Sequence, residues 1–431
     1  MMSKTGGGLA IRRISSACKN TFMTSMTGSL TPAQIDRRLV SRYIFAGLCA
    51  SLVSIGLARF AFTPLIPELI RAHWFSTASV IYLGAANLAG YLCGALLARP
   101  LGSRFGKERT LRVMMLIITA TFLACAFPLS VGWYFGWRVL SGIAGGVVMV
   151  LVAATILPHV PPASRGMASG AVFLGLGLGI AGSGTLIPLL LKLGLAQTWI
   201  GLAIVSAILT SASWFAWPSA RLSSETPARG ADSRASRAHF GWRVNLLYAQ
   251  YALMAASVVA PMVFLVDFIA RGLGLGTHEG AIFWVLYGVG AIAGPPLYGF
   301  LADRMGARAA IGLVSLAQAV ALASVYLTGN VPALGVCAVV IGTFAPGIVP
   351  LALARIHELV PKNAHRQNIA WSRATILSAG VMAVSGYAFS ALFNASGGNH
   401  RLLFLVSACL VMMALACELA NGFRSAAKGA A

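Results

Sequence analysis

Two arginines lie inside stretches of chain that are otherwise apolar. Arg59 falls within the apolar run 43–70, and Arg138 opens the segment RVLSGIAGGVV. A guanidinium group is a planar donor that binds a carboxylate or phosphate through two parallel hydrogen bonds. A charge at such a depth marks a functional site by default. The pair therefore predicts a site for an anionic solute, although each guanidinium could instead bond backbone carbonyls of a broken neighbouring helix.

Polar and aromatic side chains on other apolar segments are candidates for the same cavity. Asn87 and Tyr91 are four residues apart, which places them on one face of a helix. Each candidate also fits plain packing or anchoring at a membrane interface. With Arg59 and Arg138, the predicted substrate contacts are Asn87, Tyr91, Gln250, Tyr251, Trp284 and Tyr287.

Acidic residues are scarce, with only 10 Asp and Glu in the chain. Glu68 and Asp267 stand near the ends of two apolar runs, and Arg71 and Arg271 follow each of them by about one helical turn. Two interpretations remain open. These are solvated ion pairs at helix ends, which contribute about 0–1 kcal/mol, or they form a gate whose acid takes up a proton when closure buries it.

Motifs for catalysis or metal binding are missing from the sequence. It contains no CxxC, HExxH or phosphate-binding loop. Most of its 7 cysteines fall in apolar runs, where cysteine behaves as a small hydrophobe, and its 7 histidines fall in loops or at segment ends. We therefore predict no enzyme activity, no cofactor and no metal.

No apolar segment carries a repeated polar face, which disfavours a channel. Near the end of the last segment, Glu418 lies close to Arg424 in sequence, which predicts a surface ion pair.

Composition places the chain in a membrane. It is 58% hydrophobic and 10% charged, whereas soluble proteins carry about 25% charged residues. The net charge of +22 sits in short loops, which argues against a nucleic-acid partner. Each apolar segment is too long for a membrane strand, so an all-α protein with twelve transmembrane helices is predicted. The predicted spans are 43–69, 77–98, 111–130, 132–157, 166–192, 197–217, 244–269, 279–301, 309–328, 331–355, 368–394 and 401–420.

The distribution of basic residues predicts orientation. Of the 32 Lys and Arg residues, 26 fall on the side that holds both termini and four on the other. The positive-inside rule then makes both termini cytoplasmic. The predicted organisation is a disordered basic tail (1–41), a six-helix bundle (42–217), a linker (218–243), a second six-helix bundle (244–420) and a short tail (421–431).

A repeat with an offset of 200 residues relates the two predicted bundles. Six residues of the segment 90–106 recur in the segment 290–306, and Val160-Pro161 recur as Val360-Pro361. An even number of spans per half makes this a parallel repeat, with its axis along the membrane normal. The six residues are Gly90, Gly94, Leu97, Leu101, Arg104 and Gly106.

Several motifs resemble the major facilitator superfamily. GFLADRMGAR, residues 299–308, is similar to the signature of its 8–9 loop, and RVLSGIAGG, residues 138–146, is similar to its span 4 pattern. RFAFTPLIP, residues 59–67, resembles the first span of the bacterial YbfB/YjiJ branch. The glycine-rich span 5 lacks the Gly-Pro pair of the antiporter signature. The resemblance implies two six-helix bundles with a central cavity.

The resemblance also implies roles for loop residues. Asp303 and Arg304 would act in gating, together with Arg104 in the first half, where Ser103 replaces the family's acid. A secondary transporter with alternating access is expected, in the bacterial inner membrane, proton-coupled, monomeric and favouring a small anionic solute. The alternatives are a multidrug or metabolite efflux antiporter, and a membrane sensor or scaffold without transport.

Overall fold

The computed structural model describes residues 32–161, 164–218, 240–360 and 364–429. Most of the predicted N-terminal tail and almost all of the predicted linker lie outside this part of the chain. The side chains of residues 419–429 also lie outside it, including that of Arg424. The described residues are predominantly helical, as predicted.

The helices follow one another as antiparallel crossings, numbered here as spans in chain order. Span 1 includes Arg38–Arg71 and span 7 is Trp242–Gly272. Spans 8 and 9 both lie within the helical stretch Gly276–Leu327. The other spans are Thr77–Phe105, Lys107–Cys125, Val131–Ile156, Arg165–Leu191, Leu195–Ser213, Val331–Leu359, Ala364–Ala395 and His400–Gly429.

The count of twelve spans agrees with the prediction. Among the described residues, 10 helices are long and apolar enough to cross a membrane. One of them, Gly276–Leu327, has 52 residues and turns back at Gly306, whose φ of 79° is not helical. At about 1.5 Å per residue it is long enough for two crossings. Lys107–Cys125 begins with charged residues and completes the set.

Spans 1 and 7 are broken helices. Span 1 passes through a π-helical turn, Leu52–Leu57, and resumes as Phe62–Arg71. Span 7 is interrupted at Val258. Pro64 and Pro261 sit in the first turn after each break, where a missing N–H costs least. Span 10, in contrast, remains one helix through Pro346 and Pro350.

The repeat is visible in how the helices touch. A Cβ on Gly90 would run into the carbonyl oxygen of Val139, and a Cβ on Gly290 would run into that of Val339. The same offset of 200 relates two further pairs of contacts. Gly94 packs against the backbone of Ile143 as Gly294 packs against that of Thr343. Gly142 packs against the backbone of Asn87 as Gly342 packs against that of Tyr287. Both halves therefore pack their second helix against their fourth backbone to backbone, and the predicted parallel repeat is confirmed.

These glycines carry a testable expectation. Gly90→Ala and Gly290→Ala should each lower the melting temperature of the purified protein, because the new methyl group meets a backbone carbonyl that cannot move aside. Gly136→Ala is the matched control, since nothing lies within 4 Å of its Cβ position. There the helix should gain up to about 1 kcal/mol from better helix propensity. Equal responses of the three variants would contradict the packing described above.

The two halves are held together on one side of the bundle. We call the side with Arg38 and Glu418 the terminal side, and the side with Arg71 and His400 the opposite side. Thr63 Oγ1 donates to the carbonyl oxygen of Met262, 2.7 Å away. The offset between these residues is 199, as for Glu68 and Asp267, which is one less than the repeat offset of 200, so each lies one residue from the other's equivalent position. This bond therefore lies near the repeat axis.

Burial shows which side is closed. Residues 60–69 of span 1 and 258–270 of span 7 are all buried. On the terminal side, the starts of spans 1 and 5 are mostly exposed, and Met167 is 79% exposed. Ser390 Oγ also bonds the carbonyl oxygen of Ile81, across the halves, at 3.4 Å. The structure is thus closed on its opposite side.

Candidate functional site

Arg59 lies at the interface between the two halves. It follows the π-helical turn of span 1, a feature that is rare and frequent at functional sites. Its Nη2 donates to Sδ of Met382 in span 11, and its Cζ lies 5.1 Å from the ring centre of Tyr91 in span 2. Unlike residues 60–69 beyond it, Arg59 is partly exposed. Arg59 is therefore less tightly packed than the segment of span 1 that follows it.

The hydrogen-bonding capacity of Arg59 is largely unused. A guanidinium carries five N–H donors, and a thioether is only a weak acceptor. Nε of Arg59 is buried and has no hydrogen-bond partner among the described residues. The contacts that surround the group are the rings of Phe60 and Tyr91. A carboxylate that displaced Met382 would give this guanidinium a two-pronged partner.

Arg138 has a different environment. Its Nη1 donates to the carbonyl oxygen of Ala58 at 2.9 Å, and its Cζ lies 4.3 Å from the ring centre of Phe62. Arg138 is 3% exposed. The carbonyl belongs to the broken part of span 1, so the structural alternative considered for both arginines applies to Arg138. Its direct contact with substrate stays a prediction.

Asn87 supports Arg138 rather than Arg59. Its Nδ2 donates to the backbone oxygen of Arg138 and to Oγ of Ser141, both at 3.4 Å. Asn87 is buried, at 2% exposed. Asn87 and Tyr91 were predicted to share one helical face, yet only Tyr91 contacts Arg59.

Trp284 and Tyr287 form an aromatic stack next to span 1. Their rings are parallel within 8°, with centres 4.9 Å apart. Phe60 lies 6.1 Å from Trp284, so the stack continues the aromatic surface beside Arg59. Trp284 Nε1 donates to Ser183 Oγ of span 5 at 3.0 Å, whereas the buried hydroxyl of Tyr287 has no partner among the described residues.

Gln250 and Tyr251 lie in the first part of span 7. Gln250 is 1% exposed, and its Nε2 has no hydrogen-bond partner in the described part of the chain. The ring of Tyr251 lies 6.0 Å from that of Trp371 in span 11. Within the described part of the chain, four of the eight predicted substrate contacts therefore have a buried polar atom without a hydrogen-bond partner: Arg59, Arg138, Gln250 and Tyr287.

The predicted gate acids are buried, not solvated. Glu68 Oε2 lies 2.6 Å from Arg71, with the carboxylate side chain 8% exposed. Asp267 is wholly buried and accepts from Nε and Nη2 of Arg271. Both predicted ion pairs are present. The carboxylates are buried because the last turns of spans 1 and 7 pack into the closed side, whereas the side chain of Arg71 is 74% exposed and that of Arg271 is 32% exposed. A gating role stays a prediction.

Sequence reasoning missed His400, the third member of the Asp267 cluster. His400 Nε2 lies 2.6 Å from Oδ2 of Asp267, and the two residues are 133 positions apart. The histidine had been noted only as a residue at a segment end. No spacing rule relates it to Asp267, because span 12 reaches span 7 only through the folded bundle.

Glu418 is a correction to the sequence analysis. It was predicted to form a surface pair beside Arg424, but it is 4% exposed. Its Oε1 lies 3.1 Å from Arg355 Nη2 and 3.3 Å from Arg308 Nε. Span 12 therefore packs its carboxylate against span 10 and the 8–9 loop.

The loop residues predicted to act in gating lie on the exposed terminal side. Asp303, Arg304 and Arg104 are all exposed. Arg304 lies over the ring of Phe300 at 4.6 Å, and Arg104 over that of Phe105 at 5.5 Å. Their gating role stays a prediction. Among the described residues, no group of three or more His, Cys, Asp or Glu could hold a metal ion.

The fold agrees with the major facilitator superfamily that the sequence motifs resemble. The chain belongs to the family described as "Uncharacterised MFS-type transporter YbfB", which matches residues 51–418. The predicted superfamily and branch are therefore confirmed, and the family is one of membrane transporters, not of enzymes.

Curated relatives are transporters as well. The chain is 25% identical to the inner membrane metabolite transport protein YdjE of Escherichia coli, over 31% of this chain and 30% of that protein. It is 27% identical to the 4-hydroxybenzoate transporter PcaK of Acinetobacter baylyi, over 37% of this chain and 36% of that protein. These matches span about a third of the relatives' length. The gallate transporter of Pseudomonas putida is 24% identical over 73% of this chain and 81% of its own.

Solved structures share the fold. The nucleoside transporter NupG superposes with a TM-score of 0.72 at 12% identity, covering 88% of this chain and 99% of its own. A D-xylose-proton symporter also superposes with a TM-score of 0.72, at 16% identity, and the match covers 87% of this chain and 96% of the symporter. At these identities the likeness concerns the fold.

Proposed function

We propose that the protein is a secondary transporter that moves a small organic anion across the bacterial inner membrane by alternating access. Arg59 binds the carboxylate of the solute. The observation that carries this proposal is the setting of Arg59: partly exposed, between the halves, with a thioether as its hydrogen-bond partner. An anion bound there contacts both halves, so its binding favours their approach.

An aromatic acid is the proposed class of solute. The rings of Phe60, Tyr91, Trp284 and Tyr287 surround or adjoin the guanidinium. The unpartnered Tyr287 hydroxyl and Gln250 amide would bond a polar group on the far end of the ring. Relatives that carry 4-hydroxybenzoate and gallate support the same class.

Coupling to protons is part of the proposal. The sequence holds no nucleotide-binding motif, which favours an ion or solute gradient as the energy source, and we propose the proton gradient. Glu68 and Asp267 are carboxylates buried in the closed side, and opening that side would expose them to the protons outside. The positive-inside tally supports cytoplasmic termini, and with that orientation the closed side would face the periplasm. One chain contains both halves of the site, which suits a monomer.

Binding in detergent tests the proposed solute class. Purified protein is heated with benzoate, 4-hydroxybenzoate, gallate, a sugar, a neutral amino acid or a cationic drug. We expect an aromatic acid to raise the melting temperature and the neutral or cationic compounds to leave it unchanged. Ligand at 100 times its Kd should add about 2.7 kcal/mol of stability. Stabilisation by the cationic drug alone would favour the efflux alternative.

A further inference from the structure

Trp284 makes a hydrogen bond that crosses from one half of the protein to the other. It belongs to span 8 of the second half, and its Nε1 donates to Oγ of Ser183 in span 5 of the first half at 3.0 Å. Both residues are 0% exposed. The Ser183 hydroxyl donates its own proton to the carbonyl oxygen of Ile180, 2.8 Å away. Toward Trp284 it is therefore an acceptor, and the indole N–H has no other partner.

The bond lies between the Arg59 cavity and the opposite side. Trp284 and Ser183 each lie eight residues from the opposite-side end of their helices, which is about 12 Å at about 1.5 Å per residue. Arg59 lies twelve residues from the end of span 1 at Arg71, which is about 18 Å. A solute that moved between Arg59 and the opposite side would therefore pass the level of this bond.

Spans 5 and 8 meet backbone to backbone around this bond. A Cβ on Gly184 would lie 3.0 Å from the backbone nitrogen of Val285, and a Cβ on Gly288 would run into the backbone of Ala181. Among the described residues, no other side-chain hydrogen bond joins spans 5 and 8. Opening of the opposite side would separate these helices and break the bond, so the bond favours the closed state.

The ring of Trp284 also belongs to the wall of the central site. It stacks on Tyr287 with the ring centres 4.9 Å apart, and it lies 6.1 Å from the ring of Phe60. The Phe60 ring in turn lies 5.6 Å from Cζ of Arg59. The indole is rigid, so a change in the position of its ring also moves the N–H that Ser183 accepts.

We propose that Trp284 is a positioning residue that links solute at Arg59 to closure of the opposite side. Its N–H ties span 8 to span 5 when the halves approach each other. A solute ring packed against the aromatic stack holds the indole in the orientation that donates to Ser183. The link to the solute rests on the proposed function, whereas the bond between the halves does not.

Labelling of a buried cysteine measures opening of the opposite side. A Cβ on Gly84 of the first half would lie 3.2 Å from Cγ1 of Val263 in span 7, so Val263 lies at a contact between the halves. Val263 is 6% exposed, and Val263→Cys should react with a maleimide when the halves separate there. The rate is measured above the background of the native cysteines. When opening and closing are faster than the reaction, this rate follows the open population.

Ser183→Ala removes the acceptor and leaves every ring in place. Without solute, labelling of Val263→Cys should become about fivefold faster, which is the change that loss of one typical hydrogen bond produces in an equilibrium. Ser213→Ala is the matched control. Ser213 is also 0% exposed and donates to the carbonyl oxygen of Thr210, three residues earlier, but none of its described bonds reaches the second half. Equal rates for the two variants would overturn the tie between the halves.

A double-mutant cycle separates the bond from the packing of the indole. Trp284→Phe keeps an aromatic ring in the stack but removes the N–H, so it should also speed the labelling. Adding Ser183→Ala to Trp284→Phe should then change the rate by less than about twofold, because two changes that act through one shared bond are not additive. If the two single effects multiplied in the double variant, the bond would not be their common cause.

The link to the central site is tested with whichever of benzoate, 4-hydroxybenzoate and gallate raises the melting temperature most. This acid should slow the labelling of Val263→Cys by a larger factor when Ser183 is present than in Ser183→Ala. Melting temperatures of both proteins show separately whether the acid binds. Binding with equal slowing in both would overturn the link and leave the proposed function standing. If no acid binds, the link and the proposed function fail together, and the comparison without solute decides the tie between the halves on its own.

Discussion

Replacing Arg59 with glutamine is expected to abolish binding of the anionic solute while leaving the protein folded. The variant loses a bond to a thioether and the ring contacts with Phe60 and Tyr91, but it also removes a partly buried charge, so its stability should change little. A carboxylate would lose a charged, two-pronged partner, which costs about 2–5 kcal/mol. We therefore expect at least about thirtyfold weaker binding, measured by thermal shift with the stabilising aromatic acid.

Arg138→Gln is the matched control for that result. Its guanidinium bonds the carbonyl oxygen of Ala58 and lies over the ring of Phe62. Losing these contacts should destabilise the protein by about 1–3 kcal/mol, with a smaller effect on affinity than Arg59→Gln. If Arg138→Gln abolished binding without destabilising the protein, and Arg59→Gln did the reverse, the two roles assigned here would have to be exchanged.

Replacing Asp267 with alanine is expected to cause a large loss of stability. Removal of one partner from a buried ion pair costs about 3–5 kcal/mol. Because Arg271 keeps 32% of its side chain exposed and can turn to water, we expect the lower part of that range. The melting temperature in detergent without added ligand measures the effect.

Two comparisons test the reason for that loss. Glu108 pairs with Arg112 at 2.7 Å, but both side chains are partly exposed, so Glu108→Ala should cost about 0–1 kcal/mol. His400→Gln keeps a donor near Asp267 and should cost less than His400→Ala. Equal losses for Asp267→Ala and Glu108→Ala would mean that the buried cluster contributes no more than an exposed pair.

The sequence predicted the fold because its signals are periodic. Twelve apolar runs are long enough to be counted, and the repeated glycines mark where helices touch. Gly90 and Gly290 match in sequence at the offset of 200, and in space each meets a carbonyl of the fourth helix of its half. Loop signatures around Asp303 then identified the superfamily.

The site was only partly predictable. Both buried arginines were visible in the sequence, but their different surroundings depend on the π-helical turn before Arg59, which no residue pattern specified. Met382 is an ordinary apolar residue until span 11 brings it to Arg59, 323 positions away.

Long-range polar clusters were missed for the same reason. His400 joins Asp267 across 133 positions, and Arg355 joins Glu418 across 63. Sequence reasoning paired each acid with the nearest arginine along its own helix. That rule was right for Glu68 and incomplete for Asp267 and Glu418.

Counterflow in proteoliposomes tests the central claim most directly. Vesicles are loaded with the aromatic acid that stabilises the protein most, and the labelled acid is added outside. The unmodified protein should accumulate label transiently above equilibrium, because a carrier exchanges solute through alternating access, and Arg59→Gln should show no accumulation. Accumulation by Arg59→Gln at the rate of the unmodified protein would remove Arg59 from the binding site. Absence of exchange for every stabilising anion would contradict the proposed transport.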